Sequence, residues 1–220
     1  MRLVGSAIVL AALVAPAAAG PGKPAAAPPD VLAASCHAAL DDHGVAWRPA
    51  ARPGVELAVE IAGPLGGVTY VPPGKDPLII DCSLAVSLAA AGPYLLALGI
   101  DQARWSSAYS RRNVRGTDRP SKHSYGLAID VPRWTGPALG TLSIAADFEQ
   151  GLGDAVDCLG QPATQAGAVL KVAQCQLARS GLFYLVLSPD YDDAHHDHFH
   201  LEARPWSERP TLRADHPAIH

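Results

Sequence analysis

The chain has 220 residues, a formal net charge of −4 and 49% hydrophobic residues. This length is typical of one well-packed domain. The small net charge, with acidic and basic residues mixed along the chain, argues against a nucleic-acid-binding protein. After the first residues, no segment is long and apolar enough for a membrane-spanning helix, which argues against an integral membrane protein.

The N-terminal residues have the pattern of a secretory signal peptide. Arg2 is followed by an apolar stretch over residues 3–14 and by small residues at 17–19, the order of features that directs export. A stretch rich in Pro and Ala follows and predicts a flexible linker. The predicted divisions are a signal peptide at 1–19, a linker at 20–29, a domain at 30–205 and a surface tail at 206–220. We therefore expect a secreted or periplasmic protein.

Apolar periodicity and turn residues predict three helices and several short strands. The helices are expected at residues 30–40, 83–98 and 163–179. The strands are expected at residues 68–71, 104–112, 127–134, 140–145 and 183–187, and from about residue 198 onward. Asp30 is the expected N-cap of the first helix, and Gly92-Pro93 predicts a bend or break in the second. The fold class is α+β, a small antiparallel sheet with flanking helices.

Two further expectations concern the strands. Residues 140–145 are the expected partner of the strand at 127–134, and residues 183–187 read as a buried strand. Beyond Pro205 the polar, proline-broken sequence predicts a surface coil.

The cysteine count is even, and an exported protein reaches an oxidising compartment. Four cysteines allow three pairings. We favour Cys36–Cys82 and Cys158–Cys175, because each pairing joins neighbouring segments and leaves the histidine-rich motifs untouched. The chain has no CxxC or CxxxC spacing, which argues against thiolate ligation of a metal.

Two short blocks combine imidazoles with a carboxylate. One is SKHSYGLAID at residues 121–130, and the other is HHDHFHLE at residues 195–202. These are the side chains that bind a catalytic zinc ion. His198 and His200 are two residues apart, so on a strand they would share one face. Asp130 would lie on the opposite face of its strand from the apolar residues 127, 129 and 131, and a buried carboxylate there needs a partner.

Each block also has a simpler interpretation. The second block could be a surface chelating tract without a catalytic role. The arginines at positions 111, 112, 115 and 119 could form surface salt bridges, which contribute little to stability. Alternatively, since they directly precede the first block, they could line a site for an anionic group.

These two blocks, together with YSRRNVRG at residues 109–116, resemble the extensin-like C-terminal domain family. Through that family the chain is similar to the zinc metallopeptidases that cut bacterial cell-wall peptides, namely the D-Ala-D-Ala carboxypeptidases and the murein endopeptidases. The resemblance covers roughly residues 30–202 and is sharp only in the three blocks. It implies a zinc site between two strands of the domain.

The resemblance implies roles for six residues. The zinc ligands would be His123, Asp130 and His200, and the catalytic group would be His198, Arg112 and His195. His198 would act as the base, because the position of the carboxypeptidase glutamate is held here by the shorter Asp197. His195 would hold the substrate or a ligand, and Arg112 would pair with a carboxylate or carbonyl of the substrate.

Three classes of function follow. The first is a secreted zinc peptidase that acts on stem or cross-link peptides of peptidoglycan. The second is a cell-wall binding module that keeps the metallopeptidase fold without turnover, and the third is a periplasmic metal-binding protein. In each case we expect a monomer with peptidoglycan peptides rather than nucleic acid as partner.

Overall fold

The computed structural model describes residues 27–152 and 158–209. The elements belong to an α+β fold with small, mainly antiparallel sheets, as the sequence predicts. The helices are α1 Pro29–Asp42, α2 Cys82–Ala97, α3 Ile144–Asp147 and α4 Gln165–Arg179. The strands are β1 Trp47–Pro49, β2 Ala58–Ile61, β3 Thr69–Val71, β4 Leu78–Asp81, β5 Gln102–Arg104, β6 Ala128–Val131, β7 Arg133–Gly136, β8 Gly140–Ser143, β9 Leu185–Leu187 and β10 Phe199–Glu202. Short 3-10 helices lie at Lys122–Tyr125, Asp193–His195 and Trp206–Glu208.

The strands form three small sheets. Two are antiparallel, with the orders β1-β2-β4 and β6-β10-β9. The third has the order β3-β5-β7-β8 and contains one parallel pair, β3 with β5. The sheet β6-β10-β9 carries two residues of the candidate site, Asp130 and His200, so its register decides how these two side chains meet.

Helix α2 forms the centre of the core. Asp81 is its N-cap and accepts a hydrogen bond from the backbone N–H of Ser83 at 2.9 Å, which satisfies one of the unpaired donors of the first turn. Of the predicted bend or break at Gly92-Pro93, the break is wrong, because α2 continues through both residues. Buried side chains before and after Pro93, including Ala91 and Leu95, hold the helix in place while the Pro93 ring faces outward.

The predicted strand at 127–134 is two strands. It divides at Pro132, which has no N–H to donate to a sheet ladder, and the chain there passes from one sheet into another. The predicted partner at 140–145 therefore pairs with β7 and not with the strand that carries Asp130. Strand β6 therefore pairs with other segments on its two edges. One edge pairs with β10, and the other forms an isolated bridge between Asp130 and Ser107.

Other predictions shift at their ends. Helix α1 begins at Pro29, within the predicted linker, so Asp30 lies in its first turn instead of capping it. β5 ends at Arg104, so the strand predicted over 104–112 is wrong beyond that residue. Of the strand predicted over 183–187, only Leu185–Leu187 forms β9, and within β9 only Leu187 is buried. Its position at the edge of a sheet explains why an apolar run there is not fully covered.

The start of the predicted tail is structured. Trp206 belongs to a 3-10 helix, and its indole N–H donates to the Ser35 hydroxyl of α1 at 2.7 Å. The predicted surface coil is therefore wrong for residues 206–208. The signal peptide at 1–19 and most of the linker and tail lie outside the described residues.

Both predicted disulfides are confirmed. Cys36–Cys82 joins α1 to α2, and Cys158–Cys175 joins the segment before α4 to α4 itself. Disulfides persist mainly in oxidising compartments, which indicates an extracellular or periplasmic protein. Over the two described ranges, 27–152 and 158–209, none of the helices has the length and apolar character needed to cross a bilayer.

Candidate metal centre

His123 is aimed inward by a short 3-10 helix, Lys122–Tyr125. The hydroxyl of Ser121 caps this helix by accepting from the backbone N–H of His123 at 3.4 Å. Gly126 ends it with φ +63°, and a Cβ at this position would lie 2.9 Å from the backbone N of Asp81. Only glycine fits both the left-handed backbone and the close approach. His123 is consequently fully buried.

Asp130 and His200 face each other across two neighbouring strands. In the antiparallel ladder of β6 and β10, His200 is the direct partner of Asp130. The Nδ1 atom of His200 lies 2.7 Å from Oδ1 of Asp130. Two of the three predicted ligands therefore lie on neighbouring strands, while His123 comes from a 3-10 helix.

The three predicted ligand atoms converge. Nε2 of His123 lies 3.2 Å from Oδ1 of Asp130 and 3.3 Å from Nδ1 of His200. Zinc–ligand bonds of about 2.0–2.2 Å at tetrahedral angles place neighbouring ligand atoms about 3.3 Å apart. Two of the three ligand distances match this spacing, and the third, 2.7 Å between Nδ1 of His200 and Oδ1 of Asp130, is shorter and is that of a hydrogen bond. The donor set of two imidazoles and one carboxylate, all buried, fits a divalent metal ion in its chemistry.

The electrostatics of the centre are dominated by Asp130. Burial alone would raise the pKa of Asp130, but hydrogen bonds from His123, His198 and His200 outweigh burial and hold this pKa well below its ordinary value. Asp130 therefore carries a full negative charge, which favours a cation beside it.

The two ligand histidines are perturbed in opposite directions. Burial dominates at His123 and lowers its pKa, so its imidazole stays neutral. Burial also opposes the charged form of His200, but Asp130 and Glu202 together raise the pKa of His200 to about 9. A metal ion at this centre therefore competes with a proton on His200.

Each ligand histidine is held at its second ring nitrogen as well. Oε1 of Glu202 lies 3.0 Å from Nε2 of His200, and Oγ of Ser107 lies 3.4 Å from Nδ1 of His123. Contacts of this kind fix the ring orientation and tautomer of metal-binding histidines. Sequence reasoning missed both partners. For Glu202 a signal exists, since residues two apart on a strand share a face, whereas Ser107 is brought in only by the tertiary fold.

His198 lies beside the three proposed ligands and directly precedes β10. Its Nε2 atom is 3.4 Å from Oδ1 of Asp130, and its Nδ1 atom is 2.7 Å from Oδ1 of Asp197. Burial would lower the pKa of His198, but these two carboxylates raise it. The imidazole therefore presents Nε2 to the centre, where it faces the carboxylate of Asp130.

His195 completes the cluster from the turn before β10. Its Nδ1 atom lies 2.5 Å from Oδ1 of Asp192, and its ring centroid is 5.3 Å from that of His198 and 5.6 Å from that of His200. One nitrogen from each of these three histidines lies within 4.8 Å of the others, which defines a second group able to bind a metal ion.

Arg112 lies at the edge of the site. Its backbone N–H donates to the hydroxyl of Ser124 at 3.0 Å, and its side chain is exposed. Its positive charge contributes to the lowered pKa of His123, behind burial, which places the guanidinium within electrostatic range of the centre. A role for Arg112 in substrate binding stays a prediction, as does a catalytic role for His195 and His198.

The comparison with family models identifies the chain over most of its length. The model described as the C-terminus of extensin-like proteins matches residues 35–211. Searches of curated proteins and of solved structures gave no significant match. The matched residues include the whole candidate centre, and the chain belongs to the family of extensin-like protein C-terminal domains.

Proposed function

We propose that this protein is a zinc-dependent peptidase that acts on stem or cross-link peptides of bacterial peptidoglycan. The observation that carries the proposal is the convergence of Nε2 of His123, Oδ1 of Asp130 and Nδ1 of His200 within 3.3 Å of one another. Three protein ligands leave a fourth position open, which is typical of catalytic rather than structural zinc. The resemblance of the same motifs to cell-wall metallopeptidases supports the class of substrate.

The chain's own residues supply the remaining chemistry. When bound, zinc provides an activated water and polarises the scissile carbonyl. His198 accepts the proton of the attacking water at Nε2, since its Nδ1 is engaged by Asp197. His198 then donates this proton to the leaving amine, which restores its starting state.

Substrate binding uses charge and a neighbouring cleft. Arg112 belongs to an exposed arginine-rich loop, which suits peptides rich in carboxylates. A cleft of about 240 Å³ is lined by Trp105, Tyr109 and Arg52 and reaches Ser107, whose hydroxyl contacts His123. Ser107 contacts Nδ1 of His123, whereas the other ring nitrogen, Nε2, faces Asp130 and His200, so this cleft ends behind His123. The larger cleft of about 380 Å³ is lined by Lys122 and Tyr125, and none of the proposed ligands lines either cleft.

The test is a digest of purified peptidoglycan fragments with the exported protein. We expect zinc-loaded protein to release new amino and carboxyl termini, and a chelator or His123→Ala to abolish the release. His43→Ala is the matched control, because His43 is exposed at the end of α1. Binding of the fragments without any new termini would overturn catalysis and leave a cell-wall binding module.

A further inference from the structure

The four histidines of the site form a series of decreasing exposure. The exposed fraction of the side chain falls from 18% at His195 and 15% at His198 to 8% at His200 and 0% at His123. The series therefore runs from the surface turn before β10 to the buried metal centre.

The two metal-binding groups share one residue. His195, His198 and His200 form the outer group, and His123, Asp130 and His200 form the inner group. In each group the ligand atoms lie within 4.8 Å of one another. Because His200 belongs to both, a cation held by the outer group is already in contact with one ligand of the inner group.

In the outer group, the Nδ1 atoms of His195 and His198 are occupied by hydrogen bonds, which leaves their Nε2 atoms to bind a cation. Nδ1 of His195 and Nδ1 of His198 each contact a carboxylate, from Asp192 and Asp197 respectively. Such contacts fix the tautomer and leave Nε2 as the metal-binding atom. Asp192 also accepts from the backbone N–H groups of Ala194 and His195 at 3.0 and 3.1 Å, which fixes the turn itself.

The distribution of carboxylates favours a cation at both the outer and the inner group. Asp192 and Asp197 have side chains that are about half exposed, at 48% and 51%, so their carboxylates attract cations from solvent. Asp130 is the buried carboxylate at the inner end. The negative charge therefore continues from the mouth of the site to its interior.

We propose that the outer group is a transient metal site through which the ion is loaded into the inner group, with His200 passing from one coordination to the other. This inference rests on the metal centre of the proposed function and on no step of peptide hydrolysis. It assigns to His195 a role in the rate of metal uptake.

The test is the kinetics of zinc exchange. Zinc uptake is measured by mixing metal-free protein with zinc in competition with a fluorescent chelator. Zinc release is measured by adding excess chelator to the zinc-loaded protein. We expect His195→Gln to slow uptake and release severalfold by the same factor, leaving the equilibrium affinity unchanged, because the inner ligands are intact. Asp192→Asn should slow both rates less, since it loosens the His195 ring without removing it.

His196→Gln is the matched control. His196 is the exposed neighbour whose Nδ1 contacts its own turn at the carbonyl of Asp193, and it belongs to neither group. It should exchange zinc at the rate of the unmodified protein. Unchanged exchange rates in His195→Gln would overturn the transient outer site while leaving the inner metal centre. A loss of equilibrium affinity large enough to account for altered rates would do the same. Failure of the unmodified protein to bind zinc would overturn both proposals.

Discussion

Glu202 and His200 lie two residues apart on the same face of β10, and Oε1 of Glu202 is 3.0 Å from Nε2 of His200. This contact directs Nδ1 of His200 toward Asp130, at the proposed metal centre. Glu202 thus orients a proposed ligand without being one.

Replacement of Glu202 should weaken metal binding without unfolding the protein. We expect Glu202→Ala to lower zinc affinity by about 10–100-fold, the usual effect of losing a group that orients a ligand. Competition with a chelator measures the affinity. Glu60→Ala is the matched control, because Glu60 is also on a strand and is paired, with Arg48, away from the site. Equal zinc affinity in Glu202→Ala and Glu60→Ala would contradict the orienting role.

His198 and His200 should separate catalysis from metal binding. His200→Ala removes a ligand, so we expect both zinc binding and hydrolysis to disappear. His198→Ala keeps all three ligands but loses the proton acceptor, so zinc should stay while kcat falls by about 10²–10⁴-fold. Zinc content and kcat, measured on the same samples, check this. Full hydrolysis by the His198 variant would remove it from the mechanism.

The metal-free protein should lose stability as the pH rises above 6.5. The pKa of His200 is raised from 6.5 to about 9, because Asp130 and Glu202 outweigh the effect of burial. A raised folded-state pKa contributes stability that is fully present below 6.5 and is lost as the pH rises through about 9. The pKa of His198 is also raised, so it contributes in the same direction.

Two groups act outside this window. The lowered pKa of His123 reduces the stability of the folded protein only below pH 6.5. The lowered pKa of Asp130 affects stability only at acidic pH. Urea unfolding of chelator-treated protein at several pH values between 6.5 and 9 measures the loss. Zinc affinity should rise over the same range, because the metal displaces the proton of His200. Constant stability and constant zinc affinity across this range would contradict the assignment.

The two disulfides should differ in their contribution to stability. Cys36–Cys82 spans 46 residues and Cys158–Cys175 spans 17, so the chain-entropy model gives about 4 and about 3 kcal/mol respectively. Cys36 and Cys82 are also fully buried. The double alanine variant of the first pair should therefore unfold at a lower urea concentration than that of the second. The reverse order would show that loop closure and burial do not set the difference.

Local pattern in the sequence sufficed to predict the disulfides, and the resemblance of its motifs named three side chains that the fold brings together. The spacing of His198 and His200 fixes their common face, and Asp130 needs a partner because its neighbours are apolar. The pairing of β6 with β10 and the contact of Ser107 with His123 could not be predicted from the sequence, since both depend on tertiary structure.

The errors in the predicted elements have a similar origin. Pro93 reads as a helix break, but the buried residues around it hold α2 together. Pro132 lies inside an apolar run that reads as one strand, yet its missing N–H coincides with a change of sheet. In both cases the local pattern did not determine whether the helix or strand continues past the proline, and the packing of distant segments did.

Elemental analysis of the exported protein tests the central claim most directly. After dialysis against trace zinc, we predict one zinc ion per chain in the unmodified protein and in His43→Ala. We predict none in His123→Ala, with urea unfolding used to show that this variant is folded. Equal zinc in all three proteins, or none in the unmodified protein, would contradict a metal centre formed by His123, Asp130 and His200.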